Sequence, residues 1–270
     1  LASLPVSAHA AEWDIGKGDI TVNAGSGGQT VTQGGGAAIP DSAPVITGTS
    51  KENNVTINAD SGQTASVTLS GVNIDVRDKG KAAVSTTGEG NVSIELNGES
   101  TLRSDYEHAG LEKNNGGSLT IADEDKNGKL TAWGGQQGAG IGGGVYGKGE
   151  GITVSGNAQL KVRGGSVHGD YGTGAGIGGG YNGNGSDITI NGGDVTAHGG
   201  INNFEHQALD MLSGNGIGPN FDGTVTINGG HVKALADGES CGIGGHGDEV
   251  TVTITGGTVE AVAANQFAAI

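Results

Sequence analysis

The chain has 270 residues, including 58 glycines and 4 prolines, and its formal net charge at pH 7 is −16. The glycine and proline content stays below the range of disordered glycine-rich polymers and has no collagen period, so the composition favours an ordered chain. The acidic charge argues against binding to nucleic acid or anionic membranes, since no basic stripe is available to neutralise phosphates. The lack of an 18-residue apolar run argues against insertion into a membrane.

The first ten residues resemble the end of a secretory signal peptide. A weakly apolar run ends in Ala8-His9-Ala10, which fits the A-x-A pattern that precedes signal-peptide cleavage. We therefore treat residues 1–10 as a signal-peptide remnant and expect an exported protein that is secreted or held at the cell surface.

Residues 11–54 form the next segment, which contains Pro40 and Pro44. Short strand candidates occur in it with irregular spacing, at 20–22, 29–32 and 45–47. The ends of a repeat protein need an atypical cover. We expect this segment to form an N-terminal cap on the first coil, with Trp13 packed on the open end.

Residues 55–270 repeat one unit, which consists of a short strand, a Gly-Gly turn, a second short strand and a glycine run. The first strands begin near Val67, Val92, Leu119, Ile152, Ile188, Val225 and Val252. Apolar residues alternate within them, as in Ile188 and Ile190, with the two-residue period of a half-buried strand. A unit of about 25 residues cannot bury its apolar side alone and has to stack on copies of itself.

These repeats predict an all-β fold, a right-handed parallel β-helix over residues 55–270. The right hand is the usual one for parallel crossovers. We place the glycine runs in loops along one edge of the helix, at 138–144, 174–180, 214–220 and 241–247. One segment, 201–213, breaks the pattern with apolar residues at helical spacing and predicts a short helix laid over the side.

Alignment of the units brings polar residues into columns. At the first corner one column contains Ser155, Asn191, Asn228 and Thr255, and small polar side chains stacked in this way can hydrogen-bond along the stack. Two outward columns of the second strand hold mixed solvated residues, which are Gln159, Asp194, His231 and Thr258, and then Lys161, Thr196, Lys233 and Glu260. We expect this outward face to bind nothing.

Aromatic, arginine and histidine residues recur beside the glycine runs. Trp133, Arg163 and His198 end second strands, and the residues that follow the glycine runs are Tyr146, Tyr181, Phe221 and His246. Exposed rings beside an acidic groove suit the flat face of a sugar, and arginine and histidine suit carboxylates and hydroxyls. The alternative is that the rings tuck under the loops as small satellite cores.

The segment that begins at Asp123 reads DEDKNG, the first half of a calcium loop, and makes Asp123, Asp125 and Asn127 candidate Ca²⁺ ligands. The bidentate glutamate of such loops is missing, because Gly134 occupies the twelfth position. The same residues also suit a solvated turn in which Asn-Gly supplies positive φ.

Carboxylates that could form a catalytic pair stand in no recognisable constellation. The candidates are Asp170, Glu205, Asp210, Asp222, Asp248 and Glu249. An enzyme therefore stays an open alternative.

The units GTVTINGGHVKA (223–234) and GAGIGGG (138–144 and 174–180) resemble a class of secreted carbohydrate-binding-domain proteins of anaerobic Gram-positive bacteria. The resemblance covers roughly 55–262, including GQTASVTLSGVNIDV and NVSIELNGESTLRS. It implies a right-handed parallel β-helix of the pectate-lyase-like group and binding of acidic pectic polysaccharide, often with calcium.

The same group includes pectin hydrolases and lyases. The residues Gly244-Gly245-His246-Gly247 match the Gly-x-His-Gly motif of polygalacturonases by letter, but the accompanying Asn-x-Asp, Asp-Asp and Arg-x-Lys motifs are missing. The sequence therefore predicts an extracellular polysaccharide-binding protein. The alternatives are a glycoside hydrolase or polysaccharide lyase with its site near 201–213, and a structural stalk or adhesin module.

Overall fold

The computed structural model describes residues 10–167, 172–202, 213–264 and 268–270. The predicted signal-peptide remnant, apart from Ala10, and nearly all of the predicted helix over 201–213 lie outside these residues. Within them the protein contains 25 strands and one 3-10 helix, Ile15–Lys17, and no α-helix. This described part of the chain has no helix whose length and apolar character would let it cross a membrane.

The first ten strands are β1 (Glu12–Asp14), β2 (Ile20–Gly25), β3 (Gly28–Gln33), β4 (Ile39–Pro40), β5 (Val45–Thr47), β6 (Thr49–Ser50), β7 (Val55–Ala59), β8 (Thr64–Ser70), β9 (Asn73–Asp75) and β10 (Val84–Thr87). The next eight are β11 (Asn91–Arg103), β12 (Leu111–Lys113), β13 (Leu119–Asp123), β14 (Gly128–Trp133), β15 (Ile141–Gly142), β16 (Ile152–Gly156), β17 (Gln159–Arg163) and β18 (Ile177–Gly178). The last seven are β19 (Ile188–Ile190), β20 (Asp194–His198), β21 (Ile217–Gly218), β22 (Gly223–Ile227), β23 (His231–Leu235), β24 (Val250–Ile254) and β25 (Thr258–Val262).

Most of these strands pair in three parallel ladders. The first ladder contains β8, β11, β13, β16, β19, β22 and β24. The second contains β9, β11, β14, β17, β20, β23 and β25. The third contains β2, β7, β10, β12, β15, β18 and β21. From β8 to β23 the chain visits the first, second and third ladders in that order, unit after unit, which confirms an all-β fold of parallel stacked units.

The pairing register confirms most of the predicted alignment. Leu119 pairs with Ile152 in the first ladder, and Val225 pairs with both Ile188 and Val252. One start is wrong, because Val67 pairs with Ile94 and it is Ala65 that pairs with Val92. A slip of two residues keeps every side chain on its face, so the alternating pattern does not exclude it.

The polar corner column is confirmed over three units. The amide of Asn228 donates to Asn191 Oδ1 at 2.9 Å, and the hydroxyl of Thr255 donates to Asn228 Oδ1 at 2.8 Å. The outward columns also lie in register, as when Lys233 pairs with Glu260 and forms a 2.8 Å ion pair with it.

The core is one narrow cluster of Val, Ile, Leu and Ala side chains from all three ladders. Each strand contributes alternate residues, and in one unit Ile121, Leu130 and Ile141 are all fully buried. The residues between them point outward, which leaves the strand ends and corners to carry any site.

The predicted edge of glycine-rich loops is wrong. The glycine runs contain the third-ladder strands β15, β18 and β21, and residues 137–144, 172–180 and 213–220 are buried. Gly178 has a φ of +141°, and a Cβ there would lie 2.1 Å from the carbonyl oxygen of Gly218 in the next unit. These glycines form part of the buried wall, because only residues without side chains allow the units to approach this closely.

At the N-terminal end the pattern changes. Strand β1 pairs with β5, which extends the first ladder beyond β8, and the antiparallel strands β3 and β4 continue from β2. Trp13 in β1 is buried in the core cluster, and its Nε1 donates to Asp41 Oδ2 at 2.8 Å. Trp13 therefore packs in the core cluster at this end, and the role of residues 11–54 as a cap on the first coil stays a prediction.

Candidate functional site

The last residues of consecutive second-ladder strands pair with one another. Asp75, Arg103, Trp133, Arg163 and His198 follow in register from β9 to β20, and we name these five residues the terminal column. Neighbouring strands lie about 4.8 Å apart, so the column extends over about 20 Å. The sequence predicted that Trp133, Arg163 and His198 share a column, which the register confirms, but it missed Asp75 and Arg103.

Alternation along the strands directs these side chains outward. In β14, Leu130 and Ala132 are buried in the core, whereas Trp133 is 37% exposed. The guanidinium carbon of Arg103 lies 3.9 Å from the centroid of the Trp133 ring. This is a cation–π contact, which holds the ring with one face against a cation.

Arginine is concentrated at this column. The chain has three arginines, Arg77, Arg103 and Arg163, and Arg77 binds Asp75 through two nitrogen–oxygen contacts of 2.8 Å. The pKa of Asp75 lies below its usual value, and the largest cause is its hydrogen bond with the Arg77 side chain. Among the described residues the Nε atoms of Arg103 and Arg163 are buried and have no hydrogen-bond partner. The column therefore carries guanidinium donors that the protein itself does not saturate.

His198 ends the polar part of the column. Its Nε2 lies 2.8 Å from Asp237 Oδ2, and the next residues in register are Leu235 and Val262. The column thus runs from a carboxylate through two arginines and an exposed tryptophan to a histidine beside a carboxylate.

The rings that follow the glycine runs belong to a different corner of the unit, after the third ladder. Tyr146 and Tyr181 have ring centroids 6.3 Å apart, and the Tyr146 N–H donates to the Tyr181 carbonyl at 2.8 Å. Tyr146 is 67% exposed and Phe221 is 42% exposed, which argues against rings tucked into satellite cores. His246 follows in the next unit, with its N–H on the Asn220 carbonyl, and burial lowers its pKa. The expected single edge is therefore two separate corners.

The carboxylate of Asp123 is fully buried and accepts hydrogen bonds from the backbone. Its Oδ1 accepts the N–H of Asp125 at 3.1 Å and of Asn127 at 3.4 Å, and its Oδ2 accepts the N–H of Gly128 at 3.0 Å. The positive φ of +64° falls on Lys126 and not on the Asn-Gly pair. This is the arrangement of a turn organised by one aspartate.

Calcium binding at this loop stays a prediction. Three N–H donors surround the Asp123 carboxylate, which leaves less of its charge for a cation, while Asp125 and Asn127 are exposed. Over the part of the chain that the structure describes, no three His, Cys, Asp or Glu side chains are grouped to hold a metal ion.

Of the carboxylates considered for catalysis, the described residues place Asp222 beside the segment that contains Asp248 and Glu249. Asp222 Oδ1 accepts the N–H of Glu249 at 3.0 Å, and Asp248 and Glu249 are exposed. Asp170, Glu205 and Asp210 lie outside the described residues.

One partly buried ion pair was not foreseen. His108 Nδ1 lies 2.8 Å from Glu112 Oε2, and Glu112 also accepts bonds from the Ala109 N–H at 3.0 Å and the Asn114 amide at 2.8 Å. The hydrogen bond with Glu112 raises the pKa of His108. Burial raises the pKa of Glu112, but the bonds from His108 and Asn114 outweigh it and leave that pKa below its usual value.

Comparison of the chain with protein-family models, with curated proteins and with solved structures finds no match in any of the three. The resemblance to secreted carbohydrate-binding proteins therefore stays a prediction, and the residues of the chain itself have to support any function.

Proposed function

We propose that the three ladders close into a right-handed parallel β-helix. The constant order in which the chain visits the ladders supports a closed coil, and so does the single core that all three share. The right hand follows from the strong preference of parallel crossover connections. In such a coil the terminal column is a straight strip along one corner.

We infer that this strip binds an acidic polysaccharide. The observation that carries the proposal is the stacked order of Arg103, the exposed Trp133 ring and Arg163 in register. An indole ring packs against the flat apolar face of a pyranose, and a guanidinium pairs with a carboxylate through parallel hydrogen bonds. The strand spacing of about 4.8 Å is close to the length of one sugar residue along a chain, so successive sugars can meet successive rungs.

The charge distribution favours an anionic ligand over a neutral one. The protein carries a net charge of −16 with only 13 basic side chains, yet two of its arginines stand in this one column. Both side chains are partly exposed, so their terminal guanidinium nitrogens can donate to a uronate carboxylate. Acidic surface elsewhere would disfavour other modes of binding and so help to fix where the polymer lies.

An extracellular location accords with a polysaccharide ligand. The expectation of export depends on the Ala8-His9-Ala10 pattern, and we propose that the protein works outside the cell, secreted or at the cell surface.

Binding of polygalacturonate and of its neutral methyl ester tests the proposal. We expect the acid form to bind and the ester to bind at least about tenfold more weakly, which is about 1.4 kcal/mol. The variant Arg163→Gln should weaken binding of the acid form by about tenfold or more. Lys161→Gln is the matched control, because Lys161 is an exposed cation two residues earlier on the same strand, and it should leave affinity unchanged.

The same assay separates the alternatives. Equal affinity of wild type and Arg163→Gln would refute the assignment of the strip. Release of unsaturated or reducing sugars would identify a lyase or a hydrolase, and the carboxylates of residues 201–222 would then be tested. Binding to no acidic or neutral glycan would leave the stalk or adhesin module.

A further inference from the structure

A lysine occupies a position in the third ladder where earlier units place core residues. Lys113 pairs with Thr86, Thr86 pairs with Ile57, and Ile57 pairs with Val22. These three partners are fully buried, and Lys113 is only 6% exposed. A lysine at a buried position loses the hydration of its amine, whereas a valine or isoleucine has no such hydration to lose. Burial of Lys113 therefore costs folding free energy unless its amine has a partner or a function there.

A cavity of about 500 Å³ adjoins this lysine. Its lining is polar and glycine-rich, and it includes Lys113, Asn114, Ser118, Lys148, Glu150 and Asp187. The cavity reaches the surface, because Asn114, Lys148 and Asp187 are exposed. It lies between residues 113–118 of one unit and residues 148–151 of the next.

The Lys113 ammonium is under-used by the protein. Within the described residues its one hydrogen bond is donated to the Asn115 carbonyl at 2.6 Å, which engages one of its three N–H groups. Burial lowers its pKa, although the nearby charge of Glu150 acts in the opposite direction. A larger fraction of this amine is therefore unprotonated, and hence nucleophilic, than for an exposed lysine.

The other charges of the cavity do not make it an anion site. Lys148 is 3.9 Å from Glu150, and Asp187 adds a second negative charge, so the lining carries two basic and two acidic side chains. Amide, hydroxyl and carboxylate groups around this amine suit a small polyhydroxylated molecule better than an inorganic anion.

We propose that Lys113 is a carbonyl-reactive lysine that captures small hydroxyaldehydes or open-chain sugars in this cavity. The Nζ lone pair attacks the carbonyl carbon, and an amine proton moves to the carbonyl oxygen to form a carbinolamine. Loss of water then leaves an imine between Lys113 and the sugar carbon, with no change of oxidation state. The site is separate from the terminal column and does not depend on polysaccharide binding there.

Reductive trapping with glycolaldehyde and cyanoborohydride at pH 7 tests the proposal. Peptide mass spectrometry of the wild-type protein measures the adduct at each lysine. We expect at least about threefold more adduct at Lys113 than at the exposed Lys126 and Lys161 during a short exposure. Glucose with the same reductant should show the same preference, since an open-chain aldose presents the same carbonyl.

Two results would overturn the proposal. An unlabelled Lys113 beside labelled exposed lysines would mean that its role is only to hold the Asn115 carbonyl, and equal labelling of all lysines would mean that the cavity confers no reactivity. The variant Lys113→Thr, which restores the residue found one unit earlier, should lose this adduct and keep those at Lys126 and Lys161. The wild-type map alone decides the matter if that variant does not fold.

Discussion

The guanidinium carbon of Arg103 lies 3.9 Å from the centre of the Trp133 ring, and the two residues pair directly across β11 and β14. They are neighbours in space because the chain completes one unit between them. The contact fixes the orientation of the only exposed tryptophan among the two in the protein, since Trp13 is buried.

The first prediction concerns this contact. In a double-mutant cycle with Arg103→Gln and Trp133→Leu, the coupling in unfolding free energy should be about 0.5 to 1 kcal/mol, the range of a partly exposed cation–π pair. Chemical denaturation of the four proteins measures it. A coupling of zero would show that the guanidinium does not hold the Trp133 ring. The proposal that this ring is oriented in advance to pack against a sugar would then lose its support.

The second prediction concerns the glycines that let the units approach. Gly178→Ala should lower the unfolding free energy by about 3 kcal/mol or more, because φ is +141° and the new Cβ would meet the Gly218 carbonyl oxygen at 2.1 Å. Gly27→Ala is the matched control, since a Cβ at Gly27 has no neighbour within 4 Å, and it should change stability by at most about 0.5 kcal/mol. Urea unfolding compares them, and equal effects would contradict the close approach.

The third prediction separates the turn from the calcium loop at Asp123. Asp123→Ala removes the acceptor of three backbone N–H groups, and we expect a loss of about 2 kcal/mol. If the residue serves the turn alone, the loss is the same with calcium and with a chelator. If calcium raises the melting temperature of the wild type and not that of Asp123→Ala, the predicted calcium site is supported instead.

The fourth prediction is a pH dependence that arises from His108 and Glu112. The raised pKa of His108 means that its contribution is complete below its unfolded value of 6.5 and is lost as pH rises through the folded pKa. The lowered pKa of Glu112 means that its contribution is complete above its unfolded value of 4.5 and is lost as pH falls through the folded pKa. The pair therefore stabilises the fold most between these two values.

The variant His108→Gln tests this window. The unfolding free energy of wild type minus variant should be about 1 to 2 kcal/mol near pH 5.5 and smaller on either side. His231→Gln is the control, because its pair with Asp194 is 3.4 Å long and largely exposed, and it should show little effect at any pH. A difference that does not vary with pH would exclude the ion pair as its source.

The repeat could be recognised from the sequence because its signals are local and recur. Alternating apolar residues define strands, and the recurrence of the same pattern aligns Asn191 with Asn228 and Trp133 with Arg163 without any knowledge of the fold. Arg103 could also have been assigned to this column from the sequence, since Leu102-Arg103 is equivalent to Ala132-Trp133. It was missed because no Gly-Gly pair follows Arg103 to mark the end of the strand.

Other features depended on contacts between units. Whether the glycine runs form loops or a buried third ladder depends on how closely adjacent units approach, and whether Lys113 points inward depends on pairing with Thr86 27 positions earlier. The position of Asp123 among three N–H groups is likewise a matter of turn geometry that the letters DEDKNG share with a calcium loop. The sequence by itself determined the strands of the first two ladders, their parallel stacking and most columns, because a two-residue period and a repeated unit are local properties. Only the tertiary structure decided which columns face solvent together and which polar groups are buried, because these follow from packing between residues that are distant along the chain.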